Sequence, residues 1–511
     1  MRQSARTIGP MQPWTFDFLR RQIVGIDSSF ETPFGRRLMV YCDYTASGRC
    51  LVFAERYLQT LQRIYANTHT EDDITGRSMS RLLHEAERMI KRAVNAGPHG
   101  RIVACGTGAT GAIDKLQQIL GTSLPPATRS RKARLLIPVA GRGRFDLPAC
   151  TRCGAFAWPV PEACPACLSP DLPLSPAPRG GRVISFTTAE VPVSGYFRVR
   201  APWRVGLVEM DCGPRALVHL HPACDAGGRV RLTLMLDRAG QAVLHAGPET
   251  EEDMGADPQW QEMTCDPKGR RVLITHARHA AALPLAQALL AAGAAQVWLG
   301  LDEDGGLAPQ IDGLPGVEIV LLDPRSDRSV DDLAREIGGK VDILVNTADL
   351  PRPGPQPASS APMQWRETME LVAFGLMRLM RAFAPPMASR GGDGAVAWVN
   401  MMSVMARVPH PGFAGYAAAH AAALAQTPAL RALLAPGGIR LLTAFAGPTE
   451  GDRFDHFPAP RVAGHAIAAE ITAALKAGLE EAVIGELARG WLRRQDENPR
   501  ALEADLARGQ F

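Results

Sequence analysis

The sequence lacks any run of 18 or more apolar residues, so it predicts no transmembrane helix. Its first residues, MRQSARTIGPMQPW, also lack the apolar core of a secretory signal, and we expect a cytoplasmic protein. A clustered basic face is missing too: the net charge is only +4, and the run Arg129–Arg134 is short and lies in a predicted linker. Nucleic-acid binding, which needs Lys and Arg gathered on one surface, is therefore not expected.

The length of 511 residues predicts several domains, because a single core stops growing well below that size. Stretches rich in proline and glycine divide the chain into three predicted domains, at residues 1–124, 130–247 and 269–511. Ten cysteines without an export signal indicate a reducing compartment, where thiols bind metal or stay free.

Four of the cysteines form two CxxC pairs, Cys150-Thr-Arg-Cys153 and Cys164-Pro-Ala-Cys167, separated by ten residues. Each pair makes a tight knuckle that aims two sulfurs at one point, and two knuckles complete the closed tetrahedron of a structural zinc site. Free thiols or a redox pair are the alternative. A catalytic zinc would keep a position open for water, so the motif predicts a structural zinc ribbon.

Short strand-like runs punctuated by Gly and Pro follow the ribbon and predict a small antiparallel barrel. The runs are 182–188, 203–210, 216–220 and 230–235. Ribbon and barrel together, through LPACTRCGAFAWP, ACPAC and APWRVGLVEMD, resemble the zinc-ribbon OB-fold family that accompanies thiolases and acyl-CoA enzymes. The resemblance implies an acyl-CoA-handling, thiolase-like partner. A nucleic-acid OB-fold would want more stacking aromatics than Phe186, Tyr196, Phe197 and Trp203 provide.

From Arg270 the chain alternates strands and helices, which predicts a Rossmann-type, doubly wound parallel sheet. The predicted strands are 271–275, 295–299, 317–322, 341–345, 395–400 and 439–445. This layout resembles a short-chain dehydrogenase/reductase. Asn346-Thr-Ala-Asp349 stands where that family has Asn-Asn-Ala-Gly, and Ser403 precedes Tyr416 by thirteen residues, the usual spacing of the catalytic serine and tyrosine.

Three departures from the family pattern predict a degenerate site. The turn Thr-Gly-x-x-x-Gly-x-Gly reads here Thr275 to Ala282 with His276, Ala280 and Ala282 in place of glycine, and side chains are expected where the cofactor pyrophosphate would lie. The family's Tyr-x-x-x-Lys reads Tyr416-Ala-Ala-Ala-His420. In the family that lysine binds the ribose and lowers the pKa of the tyrosine, whereas histidine is mostly neutral at pH 7.

The third departure is an asparagine missing from a helix, where the chain reads Leu371-Val-Ala-Phe-Gly375. We therefore expect NAD(P) binding to be unlikely, with Ser403 and Tyr416 as vestigial catalytic residues.

The first domain resembles the beginning of class V aminotransferases and cysteine desulfurases. The resemblance rests on Tyr41-Cys-Asp-Tyr-Thr-Ala-Ser-Gly48, Tyr65-Ala-Asn-Thr-His-Thr70 and the glycine-rich turn Cys105–Ala112, whose Gly106 to Thr110 match the family's phosphate cradle. The likeness stops near residue 120, before the family's Schiff-base lysine, and Lys115 matches a surface position. Pyridoxal phosphate is therefore unlikely, and a docking role is expected for this truncated segment.

These parts together predict a non-catalytic, acyl-CoA-associated scaffold. It would pair with a thiolase-like subunit and with an active 3-hydroxyacyl-CoA dehydrogenase of the short-chain family. Two alternatives stay open: an active NAD(P)-dependent short-chain reductase with an atypical phosphate turn, and a stand-alone acyl-CoA binding protein.

Overall fold

The computed structural model describes most of residues 15–509. The description leaves out residues 43, 45–47, 66–72, 98–99, 101, 105–111, 113–131, 191–196, 198–199, 250–253, 256, 303–313, 352–360, 391–393, 451–453, 455–456 and 458–460. By its contacts the chain divides into two units, Met1–Cys105 and Gly106–Phe511.

The N-terminal unit consists of short elements with little buried surface in its described part. Its helices are α1 (Phe16–Gln22), α2 (Val52–Gln62) and α3 (Ile74–Ala93), and β1 (Ser29–Thr32) pairs antiparallel with β2 (Gly35–Leu38). Among its described hydrophobic side chains only Met79 is buried. The predicted phosphate turn Gly106–Thr110 and Lys115 lie outside the described residues. The aminotransferase resemblance therefore stays a prediction.

The second unit begins with a short helix and a two-stranded ladder. Helix α4 (Ile137–Gly141) leads into β3 (Asp146–Pro148), which pairs antiparallel with β4 (Leu174–Pro176). All four cysteines of the predicted ribbon lie between these two strands. Phe156, Trp158 and Val160 from the same segment pack against the core of the barrel that follows.

A closed five-stranded barrel follows, with the strand order β5-β6-β7-β9-β8. Its strands are β5 (Gly180–Ala189), β6 (Trp203–Met210), β7 (Arg215–Leu220), β8 (Arg229–Leu236) and β9 (Ala242–Gly247). The four predicted runs are the first four strands. The sequence reading missed β9, which is buried along its whole length and so lacks the alternation of a surface strand. Buried His245 on β9 holds Asp257 at 3.0 Å, at the start of helix α5 (Pro258–Met263).

A seven-stranded parallel sheet fills the rest of the unit, in the order β12-β11-β10-β13-β14-β15-β16. Its strands are β10 (Arg271–Ile274), β11 (Gln296–Leu301), β12 (Val317–Leu321), β13 (Ile343–Asn346), β14 (Ala397–Ser403), β15 (Arg440–Ala446) and β16 (Glu481–Ile484). All six predicted strands are present, and β16 adds a seventh. This is the predicted doubly wound sheet.

Helices cover both faces of the sheet, as an all-parallel sheet requires. They are α6 (Ala282–Ala291), α7 (Asp327–Ile337), α8 (Ala361–Met369), α9 (Gly375–Ser389), α10 (Ala414–Ala425), α11 (Thr427–Leu434), α12 (Gly464–Lys476), α13 (Glu486–Glu497) and α14 (Pro499–Ala507). Helices α6 and α12 bury their apolar faces in one core layer, and α7, α9, α10 and α11 bury theirs in the other. In the described part of the chain, no helix is both long and apolar enough to span a membrane.

The barrel and the sheet contact each other through a buried arginine. Arg440, at the start of β15, donates 2.9 Å hydrogen bonds to the carbonyl oxygens of Leu236 in the barrel and Gly478 beside the sheet. Because a guanidinium cannot be buried without hydrogen-bond acceptors, these carbonyls fix the barrel against the sheet.

Candidate active site and metal centre

The four predicted zinc ligands come together in space. The sulfurs of Cys150, Cys153, Cys164 and Cys167 all lie within 4.8 Å of one another, with 3.5 Å between Cys150 and Cys167 and 3.6 Å between Cys153 and Cys164. A tetrahedron with metal–sulfur bonds of about 2.3 Å has sulfur–sulfur edges of about 3.8 Å, so the spacing suits zinc. Backbone N–H groups of Cys153 and Arg152 lower the pKa of Cys150 to about 6, which favours the thiolate that a metal binds.

A cavity of about 630 Å³ opens outside the carboxyl ends of β10 to β13. The strand order reverses between β10 and β13, and the crevice at such a switch point is where doubly wound sheets bind ligands. Charged side chains from the strand ends, from α8 and from the turn of helix after it line the cavity, and they are Arg278, Asp302, Asp323, Arg325, Asp349, Arg366, Glu367, Glu370 and Glu450. The volume is that of a small-molecule or cofactor site.

The turn after β10 is fixed to the end of β13 by side-chain hydrogen bonds. Thr275 donates to the Asn346 amide oxygen at 3.0 Å, and the Thr347 hydroxyl accepts the His276 N–H and donates to the His276 carbonyl, both at 3.0 Å. His276 is not among the described non-glycine residues with positive φ, so the turn does not require glycine there. This local geometry explains how the turn tolerates histidine.

The three residues that replace the family's glycines occupy different places. His276 and Ala280 line the large cavity, as predicted. Ala282 does not: it is the first residue of α6, and its methyl is fully buried in the core layer that α6 shares with α12. The prediction that Ala282 obstructs the cofactor site is therefore wrong.

Helix α6 offers few N–H groups to a phosphate. The Ala281 N–H is bound by His279 Nδ1 at 3.0 Å and the Ala282 N–H by the His279 carbonyl at 2.8 Å, and Pro284 has none to give. Positive charge at the cavity comes instead from Arg278 and Arg325, which hold Asp302 between them at 2.7 and 3.2 Å. An anionic ligand here would meet guanidinium groups rather than backbone amides.

Ser403, Tyr416 and His420 meet around a buried carboxylate, that of Asp349. Tyr416 donates its hydroxyl to Asp349 Oδ2 at 3.2 Å, and His420 Nε2 lies 3.1 Å from Oδ1. The Ser403 backbone N–H donates to His420 Nδ1 at 3.3 Å. Since Nδ1 accepts that bond, Nε2 is the ring nitrogen that faces Asp349 with a proton. His279 adds its Nε2 at 3.7 Å from Oδ2.

The contacts within this cluster shift the pKa values of its members. Burial and the neighbouring carboxylate raise the pKa of Tyr416 well above its usual value. Burial alone would raise the pKa of Asp349, but the hydrogen bond and charge of His420, with His279 and Tyr416, lower it below the ordinary value. Burial lowers the pKa of His279. At neutral pH the Tyr416 phenol is therefore protonated and the Asp349 carboxylate is ionised.

A second, much smaller cavity of about 10 Å³ lies at Tyr416 and Ser403, room for about one water. Asp349, Thr449 and Phe454 line both this space and the large cavity.

Where the family asparagine is missing, the helix changes its winding. Residues Glu370–Phe374 form a π-helix between α8 and α9, and Glu370 and Leu371 face the large cavity. Single π-turns inside helices often mark functional sites.

The buried histidines of this site predict lower stability in acid. Burial and nearby His279 lower the pKa of His276 to about 4, against about 6.5 in the unfolded chain. Between these two pKa values the unfolded state takes up a proton that the folded state does not. The free energy of unfolding therefore decreases by about 1.4 kcal/mol for each unit by which the pH is lowered. Urea titrations at pH 7, 6, 5 and 4 should show a shallower fall for His276→Asn, and an unchanged one for the exposed control His465→Asn. If the free energy of unfolding changes equally with pH in all three proteins, the lowered pKa of His276 is wrong.

Two family models match this chain, both in the second unit. Residues 270–459 match the short chain dehydrogenase family, and residues 175–234 match the C-terminal OB-fold domain of ChsH2. The protein is therefore one that joins an OB-fold barrel to a Rossmann-type domain. More narrowly, residues 270–459 of that Rossmann-type domain match the short-chain dehydrogenase model, which confirms this resemblance at the level of the domain, and the OB-fold part of the second resemblance is confirmed as well.

Individual proteins are similar to this chain over part of its length. The chain is 28% identical over 202 residues to 1-deoxy-11-beta-hydroxypentalenate dehydrogenase of Streptomyces exfoliatus, covering 38% of this chain and 73% of the relative. It is 30% identical over 164 residues to the short chain dehydrogenase mpl6 of Monascus purpureus, covering 30% of this chain and 55% of that protein. A short chain dehydrogenase of Burkholderia cenocepacia, solved in complex with NADP, is 31% identical, with a TM-score of 0.43 over 47% of this chain and 98% of that one.

These matches overturn the prediction of a non-catalytic scaffold. The domain matches the dehydrogenase family through its cofactor and catalytic regions, and the named relatives are dehydrogenases. They also weigh against the expectation that NAD(P) is unlikely. That expectation took the missing glycines to close the site, whereas a large cavity is present at the switch point.

Asp349, the centre of the cluster, has no role predicted from the sequence, where it is only the last residue of Asn346–Asp349. The sequence does contain a signal for this role: an acid stands where the family has glycine, and a histidine stands where it has lysine. In the structure these two residues, Asp349 and His420, face each other.

Proposed function

We propose that the C-terminal domain is an NAD(P)-dependent short-chain oxidoreductase with an atypical phosphate turn. The observation that carries this proposal is the 630 Å³ cavity at the switch point, which Asp349 connects to Tyr416. A doubly wound sheet binds its dinucleotide at this place.

The residues of the cavity fit a dinucleotide in an unusual way. Arg278 and Arg325 would hold its phosphates, taking the part that backbone amides of a glycine turn play elsewhere. Asp302, at the end of β11, stands where an acid reaches a ribose hydroxyl. The buried Nδ1 of His276, which has no partner among the described atoms, is a further polar group for such a ligand.

When bound, the nicotinamide accepts or supplies a hydride. The protein's own contribution to the reaction is then to position the substrate and to move a proton. Tyr416 is the proton donor or acceptor for the substrate oxygen, and Ser403 lies beside it at the end of β14. Phe454 and Phe413 cover the tyrosine ring and exclude water from it.

The barrel indicates the substrate class. Its match to an OB-fold domain and the four-cysteine cluster support an acyl-CoA context, so we propose a 3-hydroxyacyl or 3-oxoacyl thioester of coenzyme A as substrate. A thiolase-like subunit is the proposed partner of the ribbon and barrel. Co-purification from native extract with and without Cys164→Ser tests that part separately.

Fluorescence titration with NADH and NADPH tests the cofactor. We expect micromolar affinity for at least one, weakened about tenfold or more in Arg278→Gln because a phosphate loses its guanidinium. Arg335→Gln, an exposed arginine paired with Asp332 on α7, is the matched control and should bind normally. Failure of both nucleotides to bind overturns the proposed function.

A further inference from the structure

The charge of the Tyr416 cluster carries an inference that rests on the proposed function. Asp349 supplies the one carboxylate of that cluster, and it lines both the large cavity and the small one. We propose that Asp349 makes this an oxidising site: it favours the oxidised, positively charged nicotinamide and accepts, through Tyr416, the proton of a substrate hydroxyl.

The first part follows from a carboxylate that has no permanent cation beside it. Among the described residues, the ion-pair partners of Asp349 are His420 and His279, and no arginine or lysine pairs with it. His420 accepts the Ser403 N–H at Nδ1 and meets the carboxylate through Nε2. The carboxylate is also largely buried, where water screens it little. The cationic ring of an oxidised nicotinamide near this carboxylate would be stabilised, and the neutral ring of the reduced form would not.

The second part follows from the contact between Tyr416 and Asp349. Oxidation of a secondary alcohol removes a hydride from carbon and a proton from oxygen. A bound oxidised nicotinamide would take the C–H electron pair. The hydroxyl proton would pass to Tyr416 Oη, and the proton already on Oη would pass to Asp349 Oδ2, 3.2 Å away. The hydroxyl becomes strongly acidic as the hydride leaves, so a carboxylate is a sufficient acceptor.

This relay avoids an unfavourable tyrosinate. A phenolate next to the Asp349 carboxylate would place two negative charges in a buried site. When both protons move together, the cluster never holds more than one negative charge, and after reaction Asp349 is neutral. The two residues that depart from the family pattern, Asp349 and His420, thus act as a pair.

Dissociation constants for the oxidised and the reduced dinucleotide test the inference without turnover. In the full-length wild-type protein we expect the oxidised form to bind at least about tenfold more tightly. Asp349→Asn should bring the two constants close together, because the amide keeps the shape and removes the charge. His420→Lys, which places a cation beside the carboxylate, should shift the ratio in the same direction.

Asp302→Asn is the matched control. It removes the same charge from the same cavity two strands away, about 10 Å from Asp349. This control should change the dissociation constants of the oxidised and the reduced dinucleotide by the same factor, and so leave the ratio of the two constants unchanged. Binding of both forms with no preference in the wild type, or a preference that survives Asp349→Asn, overturns the inference alone. Binding of neither form overturns the proposed function and the inference with it. The ratio of the two dissociation constants in the wild-type protein tests the inference even if a variant fails to fold.

Discussion

Replacing Cys164 with serine should remove the metal and unfold the ribbon. Cys164 is fully buried and its sulfur is one of the four that would surround zinc, so the variant keeps three thiolates and a weak fourth ligand. Binding free energy at such sites is folding free energy, of about 10–16 kcal/mol in small zinc domains. We expect about one zinc per chain by metal analysis in the wild type and a small fraction of that in the variant.

Cleavage by protease gives an independent measure of the same change. The ribbon packs Phe156 and Trp158 on the barrel core, so its loss should expose both and open residues 149–168 to rapid cleavage. Cys212→Ser, a half-buried cysteine outside the cluster, should behave like wild type in both measurements. Two results would rule out the zinc assignment: a wild-type protein without zinc, or a wild-type protein that contains iron and has a redox-active spectrum.

Replacing Tyr416 with phenylalanine should lower turnover of a 3-hydroxyacyl or 3-oxoacyl thioester by about 10²–10⁴-fold, the usual contribution of a positioned proton-transfer group. The phenyl ring keeps its contacts with Phe413 and Phe454, so the fold and the cofactor affinity should change little. The loss should therefore appear in kcat and not in the dinucleotide dissociation constant.

Ser403→Ala gives a useful comparison. The Ser403 hydroxyl accepts the Met405 N–H at 3.2 Å, so this variant loses a local hydrogen bond as well as any contact with substrate. A kcat of Tyr416→Phe equal to wild type would show that Tyr416 moves no proton. The catalytic assignment would then be wrong, although cofactor binding could persist.

Local patterns in the sequence were sufficient for much of this protein. The spacing of the two CxxC pairs predicts the four-sulfur cluster, because each knuckle is built within four residues. Strand–helix alternation from Arg270 predicts the parallel sheet, and the thirteen-residue spacing from Ser403 to Tyr416 places both at one edge. Strand β9 was missed since it is buried throughout and shows no alternation.

Other features depended on packing between distant segments. The direction of the Ala282 side chain was decided by where α6 begins, and the contact of the barrel with the sheet by Arg440. Whether His276 and Ala280 close the cofactor site depends likewise on the volume of the cavity that they line, and the sequence does not give that volume.

The sequence by itself determined which side chains are available: four thiolates, a serine, a tyrosine, and a histidine in place of lysine. Tertiary structure alone decided what the last of these means. Asp349 and His420 are 71 positions apart, and only the pairing of β13 with β14 and the packing of α10 place their side chains 3.1 Å apart. Because charge acts over distance in space and not along the chain, only this packing brings the Asp349 carboxylate beside His420 and Tyr416, which neither residue's position in the sequence could reveal.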